Sequence, residues 1–190
     1  MSRSRPLVAV ALLTAASFGA CGRGDGKSLG PPPRVPRDAV PATLAVGPGL
    51  SVTPNLSKEV KKAFAIAGPK SLAFDGAVWE VRLGSQLVGV LQLTSLNDRV
   101  DTTKTDDRKA VRRDILSGSE SEFDVATTPV WVTKDAGRGT YIWFGRQMLG
   151  VLQMKSSLFD IDDAATRMVT TLLESDKWPE LPPEVFEEDL

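Results

Sequence analysis

GSQLVGVLQL, which occupies residues 84–93, decides the fold, because GRQMLGVLQM repeats it at residues 145–154. The two stretches are offset by 61 residues. Each opens with a glycine and a polar residue, at positions 84–85 and 145–146, which suits the two-residue type II′ turn of a β-hairpin. The repeat therefore predicts one hairpin in each half of the chain and a pseudo-twofold relation between the halves.

Further β-rich runs lie beside the repeats. Residues 78–83 and 140–144 precede the two turns, and residues 72–74 and 130–132 supply a third strand in each half. Strands that are joined by tight turns pair antiparallel. We therefore expect an α+β fold, with a single domain that holds one mostly antiparallel sheet of about five to six strands and two to three packed helices, built from two pseudo-repeats.

Three segments have the apolar spacing of helices. The first has Thr53 as its N-cap and ends at the Gly-Pro pair at residues 68–69. The second begins near Thr105, and the third begins at Asp160 or Asp162. These helices are available to cover the sheet.

The N-terminus has the parts of a secretory signal. Arg3 and Arg5 precede an apolar run at residues 7–18, which is too short to span a bilayer comfortably. Two small residues follow, and then Cys21, the only cysteine of the 190-residue chain. We expect residues 1–20 to be removed as a signal peptide.

Gly19, Ala20 and Cys21 resemble the lipobox of bacterial lipoproteins, in which small residues precede an acylated cysteine. Phe18 departs from the aliphatic residue that is usual at its position. The resemblance implies that acyl chains on Cys21 anchor the protein to the extracytoplasmic face of the cell membrane. The alternative is a plain secretory signal with a cysteine nearby by chance. The signal, tether and order of elements are also similar to those of small actinobacterial lipoproteins of high-GC bacteria.

Composition divides the mature chain into three parts. Residues 21–51 are rich in Gly and Pro, which disfavour helix and sheet, so we expect the lipidated cysteine to be followed by a tether. Residues 52–178 hold the periodic segments and are expected to form the globular α+β domain. Residues 179–190 carry prolines and several carboxylates, and we expect a loose acidic tail.

The composition also excludes several classes of function. The chain has no histidine, which rules out Ser-His-Asp and Cys-His enzymes and removes the commonest metal ligand. Removal of residues 1–20 leaves 21 basic and 24 acidic residues, which is a net charge of −3. This part of the chain therefore lacks the excess of positive charge that is typical of nucleic-acid-binding proteins. We expect no cofactor, no metal site and no nucleic-acid partner.

The second hairpin has an aromatic and sulfur-rich face. Tyr141, Trp143 and Met148 fall on one side of it, and such side chains suit adaptable recognition of a lipid, glycan or peptide. Burial under a helix is the commoner explanation for such a cluster. Both interpretations stay open at this point: a core cluster, or a contact surface for a ligand or partner.

Arg108, Arg112 and Arg113 belong to the one local basic cluster. On a helix, a cluster of this kind is usually a solvated face. The alternative is a contact with anionic lipid headgroups or with an acidic partner.

Three hypotheses of function follow. The first, which the lack of a catalytic constellation favours, is a lipid-anchored cell-envelope protein that acts as a non-catalytic binding or accessory module for an envelope protein or a small ligand. The second is a structural subunit of a membrane protein assembly. The third is a carboxylate-dependent envelope hydrolase, for which Glu80 is the only acid placed in mid-strand and has no evident partner.

Overall fold

Eight antiparallel strands pair into one sheet. The structure is a computed structural model that describes residues 31–64 and 71–186. Its strands and helices, in chain order, are β1 (Thr43–Leu44), β2 (Leu50–Pro54), α1 (Lys58–Ala63), β3 (Ala73–Leu83), β4 (Gln86–Leu96), α2 (Thr105–Ile115), β5 (Ser121–Val125), β6 (Thr128–Asp135), β7 (Arg138–Gly145), β8 (Met148–Lys155) and α3 (Ile161–Leu173). Across the sheet the order is β1-β2-β3-β4-β8-β7-β6-β5. The fold is α+β, but the expectation of five to six strands is wrong.

The register at the centre of the sheet follows the sequence repeat. Leu91 of β4 pairs with Leu152 of β8, and these two leucines occupy equivalent positions of the repeat. Leu93 pairs with Gly150, and the residues equivalent to them in the other copy of the repeat, Met154 and Gly89, also pair with each other. The two copies therefore meet around a local twofold axis at the leucine pair, as the repeat predicts. The first hairpin turns at residues 84–85, also as predicted.

Three strands lie where no strand was expected. β1 and β2 come from the segment interpreted as a tether, and their residues Leu44, Leu50 and Val52 are buried in the core. β5 joins β6 through a turn in which Ala126 has a positive φ of 54°. The apolar alternation that marks these strands spans only two or three positions, and nearby prolines and glycines conceal it. Residues 31–51 therefore pack with the domain instead of forming a tether.

The β7–β8 hairpin turns one residue later than expected. Gly145 pairs with Met148, so the turn consists of the two residues between them. The second of these, Gln147, has a φ of 54°, which is unfavourable for a residue with a side chain. Its buried amide compensates, because Nε2 donates to the Val100 carbonyl over 2.8 Å and the backbone N–H donates to the Thr102 hydroxyl over 2.8 Å. The shifted turn changes every pair of this hairpin.

Helices cover both faces of the sheet. α3 packs over the face that carries Trp143 and Leu152, which we call the α3 face. On the opposite face, which we call the α1–α2 face, Val60 of α1 packs with Val90. Val111 of α2 packs on that same face, with residues of β7 and β8. None of the helices in the described ranges is long and apolar enough to cross a membrane.

The first helix begins later than expected, and the third begins where it was expected. Ser57 caps α1 by accepting a hydrogen bond from the Val60 N–H over 3.2 Å, whereas Thr53, the expected cap, lies in β2. The Asp160 side chain, one of the two predicted caps, caps α3 by accepting from two N–H groups of its first turn. The expected end of the first helix, at residues 68–69, lies outside the described residues.

The described part of the acidic tail packs against the domain. Leu181 and Phe186 are buried in the cluster that includes Trp131. Arg108 of α2 donates to the Val185 carbonyl over 2.7 Å. The expectation of a loose tail does not hold for this part, and the last four residues lie outside the described chain.

Candidate functional site

Tyr141, Trp143 and Met148 lie in the core. All three are fully buried in the cluster beneath α3. Trp143 packs near Trp178, with ring centroids 6.2 Å apart, and it covers Gly150, where an added Cβ would overlap the indole. Of the two interpretations of this face, the structure supports the core cluster. A ligand cannot reach these side chains in the folded domain.

The Tyr141 hydroxyl is a satisfied core group. It donates to Asp162 Oδ1 of α3 over 2.7 Å. Burial and this carboxylate raise the Tyr141 pKa far above its ordinary value. Burial also opposes the charged form of Asp162, but hydrogen bonds from Lys134 and Tyr141 outweigh it and hold the Asp162 pKa below its ordinary value. The hydrogen bond between Tyr141 and Asp162 ties α3 to the sheet.

The three arginines of α2 have three different environments. Arg108 is fully buried and donates to two backbone carbonyls over 2.7 Å each. Arg112 is half-buried and lies over the Trp131 ring, 4.3 Å from its centroid. Arg113 is exposed. Contact with an anionic partner is therefore no longer supported for Arg108 and Arg112, and it stays a prediction for Arg113.

Glu80 belongs to a structural network. Its side chain, which is 2% exposed, accepts hydrogen bonds from the Ser57 N–H (3.2 Å) and from Arg82 Nε (2.8 Å). Burial opposes its ionisation, but the hydrogen bonds from Ser57 and Arg82 hold the Glu80 pKa below its ordinary value. Arg82 also pairs with Glu59, so the network joins α1 to β3. A carboxyl with a lowered pKa is unsuited to protonating a leaving group.

A cleft of about 400 Å³ opens on the α1–α2 face, at the end of the sheet where β3 turns into β4 and β8 ends. Its walls come from the end of α1, the start of β4, the β6–β7 turn and the segment after β8. Its lining includes Phe64, Gln86, Leu87, Arg138, Lys155 and Ser157. None of the residues that the sequence had singled out is among them.

Two cations stand directly opposite each other in this cleft. Arg138 of β7 pairs in register with Lys155 of β8, and both side chains are exposed. Within the described residues, neither side chain has an ion pair or a hydrogen bond, although Asp135 faces Arg138 across the β6–β7 turn. Like charges that face each other in an antiparallel pair destabilise a sheet. A local cost of this kind is typical of a binding site.

The rest of the cleft strengthens its positive character on one side and supplies apolar surface on another. Lys61 and Lys62 are exposed in the last turn of α1, directly before Ala63 in the cleft wall. Phe64 and Leu87 form an apolar wall. Because a concave site of one charge focuses the electric field, the cleft favours anions.

Sequence reasoning missed the Arg138–Lys155 pair because it depends on the register of the hairpin. A turn at residues 145–146 would place Arg138 opposite Gln153, two residues from its actual partner. The buried amide of Gln147 moves the turn by one residue, and this shift creates the pair. The signal in the sequence is a cation at the first residue of β7 and another at the last residue of β8. These two residues can be recognised as partners only after the turn between the strands has been placed.

No protein-family model, no curated protein and no solved structure matches this chain. Within residues 31–64 and 71–186, no group of three or more carboxylate, cysteine or histidine side chains is placed to hold a metal ion. Cys21 and residues 1–20 lie outside the described residues, so the signal peptide and the lipid anchor stay predictions. The function is therefore inferred from the geometry of the cleft.

Proposed function

We propose that the protein is a lipid-anchored cell-envelope protein whose domain binds an anionic ligand in the basic cleft without converting it. The anchor is inferred from Cys21 and the signal-like sequence before it. The binding function is carried by one observation, the Arg138–Lys155 pair, for which the described residues supply no ion-pair or hydrogen-bond partner. An anion between these side chains would relieve their repulsion and accept a charge-assisted hydrogen bond from each.

The path of the chain into the domain supports an outward-facing cleft. The Val35 N–H donates to Asp75 Oδ2 over 3.1 Å, near the start of β3. The cleft lies at the other end of this strand, and the eight residue steps from Asp75 to Leu83 span about 27 Å. The cleft is therefore far from Val35, which lies near the N-terminal start of the described chain, and this separation favours a cleft that is open to ligands in the envelope.

The chemistry of the chain supports binding without conversion. The chain contains no histidine, and Glu80, the candidate acid of the hydrolase hypothesis, is committed to Arg82 and to the N–H of Ser57. The cleft offers cations, hydroxyls and an amide, which bind an anion but supply no general base near neutral pH.

Calorimetric titration with inorganic phosphate tests this proposal. The full-length Cys21→Ser variant, which we expect in the soluble fraction while the wild type sediments with membranes, allows the titration to be made without detergent. Adding Arg138→Gln is expected to weaken phosphate binding about tenfold or more, because it removes a charged donor. Arg146→Gln is the matched control, since Arg146 is exposed in the turn at the other end of the same hairpin. Equal weakening by both substitutions would contradict a specific site.

A further inference from the structure

A strip of half-buried polar side chains lies beside the cleft on the α1–α2 face. Thr133 of β6 pairs with Thr140 of β7, which in turn pairs with Gln153 of β8. All three side chains are half-buried, and none of them has a side-chain hydrogen bond within the described residues. Three adjacent strands thus present a row of two hydroxyls and one amide with their hydrogen-bonding capacity unused.

The strip and the cation pair share one surface. Arg138 and Lys155 lie two residues along the same strands from Thr140 and Gln153, so the two sets of side chains point to the same face and are about 7 Å apart. Beyond the strip, the face becomes apolar and is covered by the cluster that includes Val111 of α2. The strip therefore gives a ligand held by the cations a polar surface over which to extend, up to the point where α2 covers the face.

We propose that the ligand of the cleft is an acidic carbohydrate. Arg138 and Lys155 bind its phosphate or carboxylate, and the strip of Thr133, Thr140 and Gln153 exchanges hydrogen bonds with its ring hydroxyls. The assignment depends on the proposed function, because it uses the same cation pair.

The lining of the cleft fits a sugar better than an acyl chain. The Phe64 and Leu87 wall is small, and it offers the C–H face of a sugar ring an apolar surface. An acyl chain would have to lie along hydroxyl and amide groups and would leave them without hydrogen bonds, which is costly. A hydroxyl-rich ligand satisfies those same groups.

Titration of the full-length Cys21→Ser protein with glucose 6-phosphate, glucuronic acid, inorganic phosphate and acetate tests this inference. At least one acidic sugar is expected to bind about tenfold tighter than the simple anion that carries the same acidic group. Thr140→Val, which removes one hydroxyl at nearly constant shape, is expected to weaken sugar binding several-fold and to leave phosphate binding unchanged. Thr53→Val is the matched control, because Thr53 is an exposed strand threonine on β2, near the far edge of the sheet.

The outcomes separate this inference from the proposed function. If the acidic sugars bind no tighter than the simple anions, or if Thr140→Val leaves sugar binding unchanged, the carbohydrate assignment is overturned while the anion site stands. Tighter binding to vesicles of phosphatidylglycerol than to either sugar, lost in Arg138→Gln, would overturn it in favour of a lipid headgroup. If no anion binds, the proposed function itself fails.

Discussion

Replacing Trp143 with alanine is expected to lower the free energy of unfolding by about 4 kcal/mol, because the indole is fully buried beneath α3 and its removal leaves a large cavity. Urea unfolding followed by circular dichroism measures this loss. Phe74→Ala is the matched control, since Phe74 is an aromatic side chain that is 51% exposed, and it is expected to cost less than about 1 kcal/mol. A Trp143→Ala protein of normal stability would contradict the core assignment.

A double-mutant cycle with Gly150 tests the same packing from the other strand. A Cβ at position 150 would overlap the indole of Trp143, its cross-strand partner. Gly150→Ala alone is therefore expected to destabilise the domain by about 2 kcal/mol through overpacking. In the Trp143→Ala background the same substitution should cost almost nothing, because the obstructing ring is gone. Additive costs would show that the two residues do not share this space.

Replacing Arg82 with methionine is expected to lower the free energy of unfolding by about 3 kcal/mol at pH 7, because it leaves the buried Glu80 carboxylate without its cation. The Glu80 pKa is lowered in the folded protein, so its stabilising effect is present above the ordinary carboxyl pKa and is lost as the pH falls through the folded value. The difference in unfolding free energy between wild type and Arg82→Met should therefore become smaller as the pH falls. Urea unfolding measured from pH 7 down to about pH 3 checks this.

An exposed ion pair supplies the control for this substitution. Arg167 pairs with Asp163 on α3, and these side chains are 54% and 44% exposed. Solvent screens such a pair, so Arg167→Met is expected to change the stability by less than about 1 kcal/mol. If Arg82→Met costs no more than this control, Glu80 is not held in the way the structure indicates.

The centre of the sheet could be predicted from the sequence because the hairpin signal is local. The repeat predicted two hairpins and their twofold relation, although the turn of the second lies one residue later than predicted, and Asp160 was one of the two predicted caps of α3. The outer strands β1, β2 and β5 could not be predicted in this way. They are short, and their pairing with longer strands stabilises them in spite of neighbouring glycines and prolines.

The candidate site depended on register, which local sequence does not determine. The sequence composition around Trp143 fits a buried core residue and an exposed contact residue equally well. Only the position of α3, which covers the side chain, decides between these two. Arg138 and Lys155 are 17 positions apart in the chain, and they become neighbours only when Gln147 sets the turn. A buried amide that bonds to a distant loop is a tertiary effect, and no periodicity reveals it.

The most direct test compares the unfolding free energy of the Cys21→Ser protein with that of the same protein carrying Arg138→Gln, without and with phosphate. If Arg138 and Lys155 form a ligand site, the substitution removes a repulsion, so the variant without phosphate should be at least as stable as its parent. Phosphate at the same concentration should then stabilise the protein that retains Arg138 more than the variant. A variant that is less stable without phosphate, and that gains as much stability from phosphate as its parent, would contradict the assignment of the cleft as the binding site.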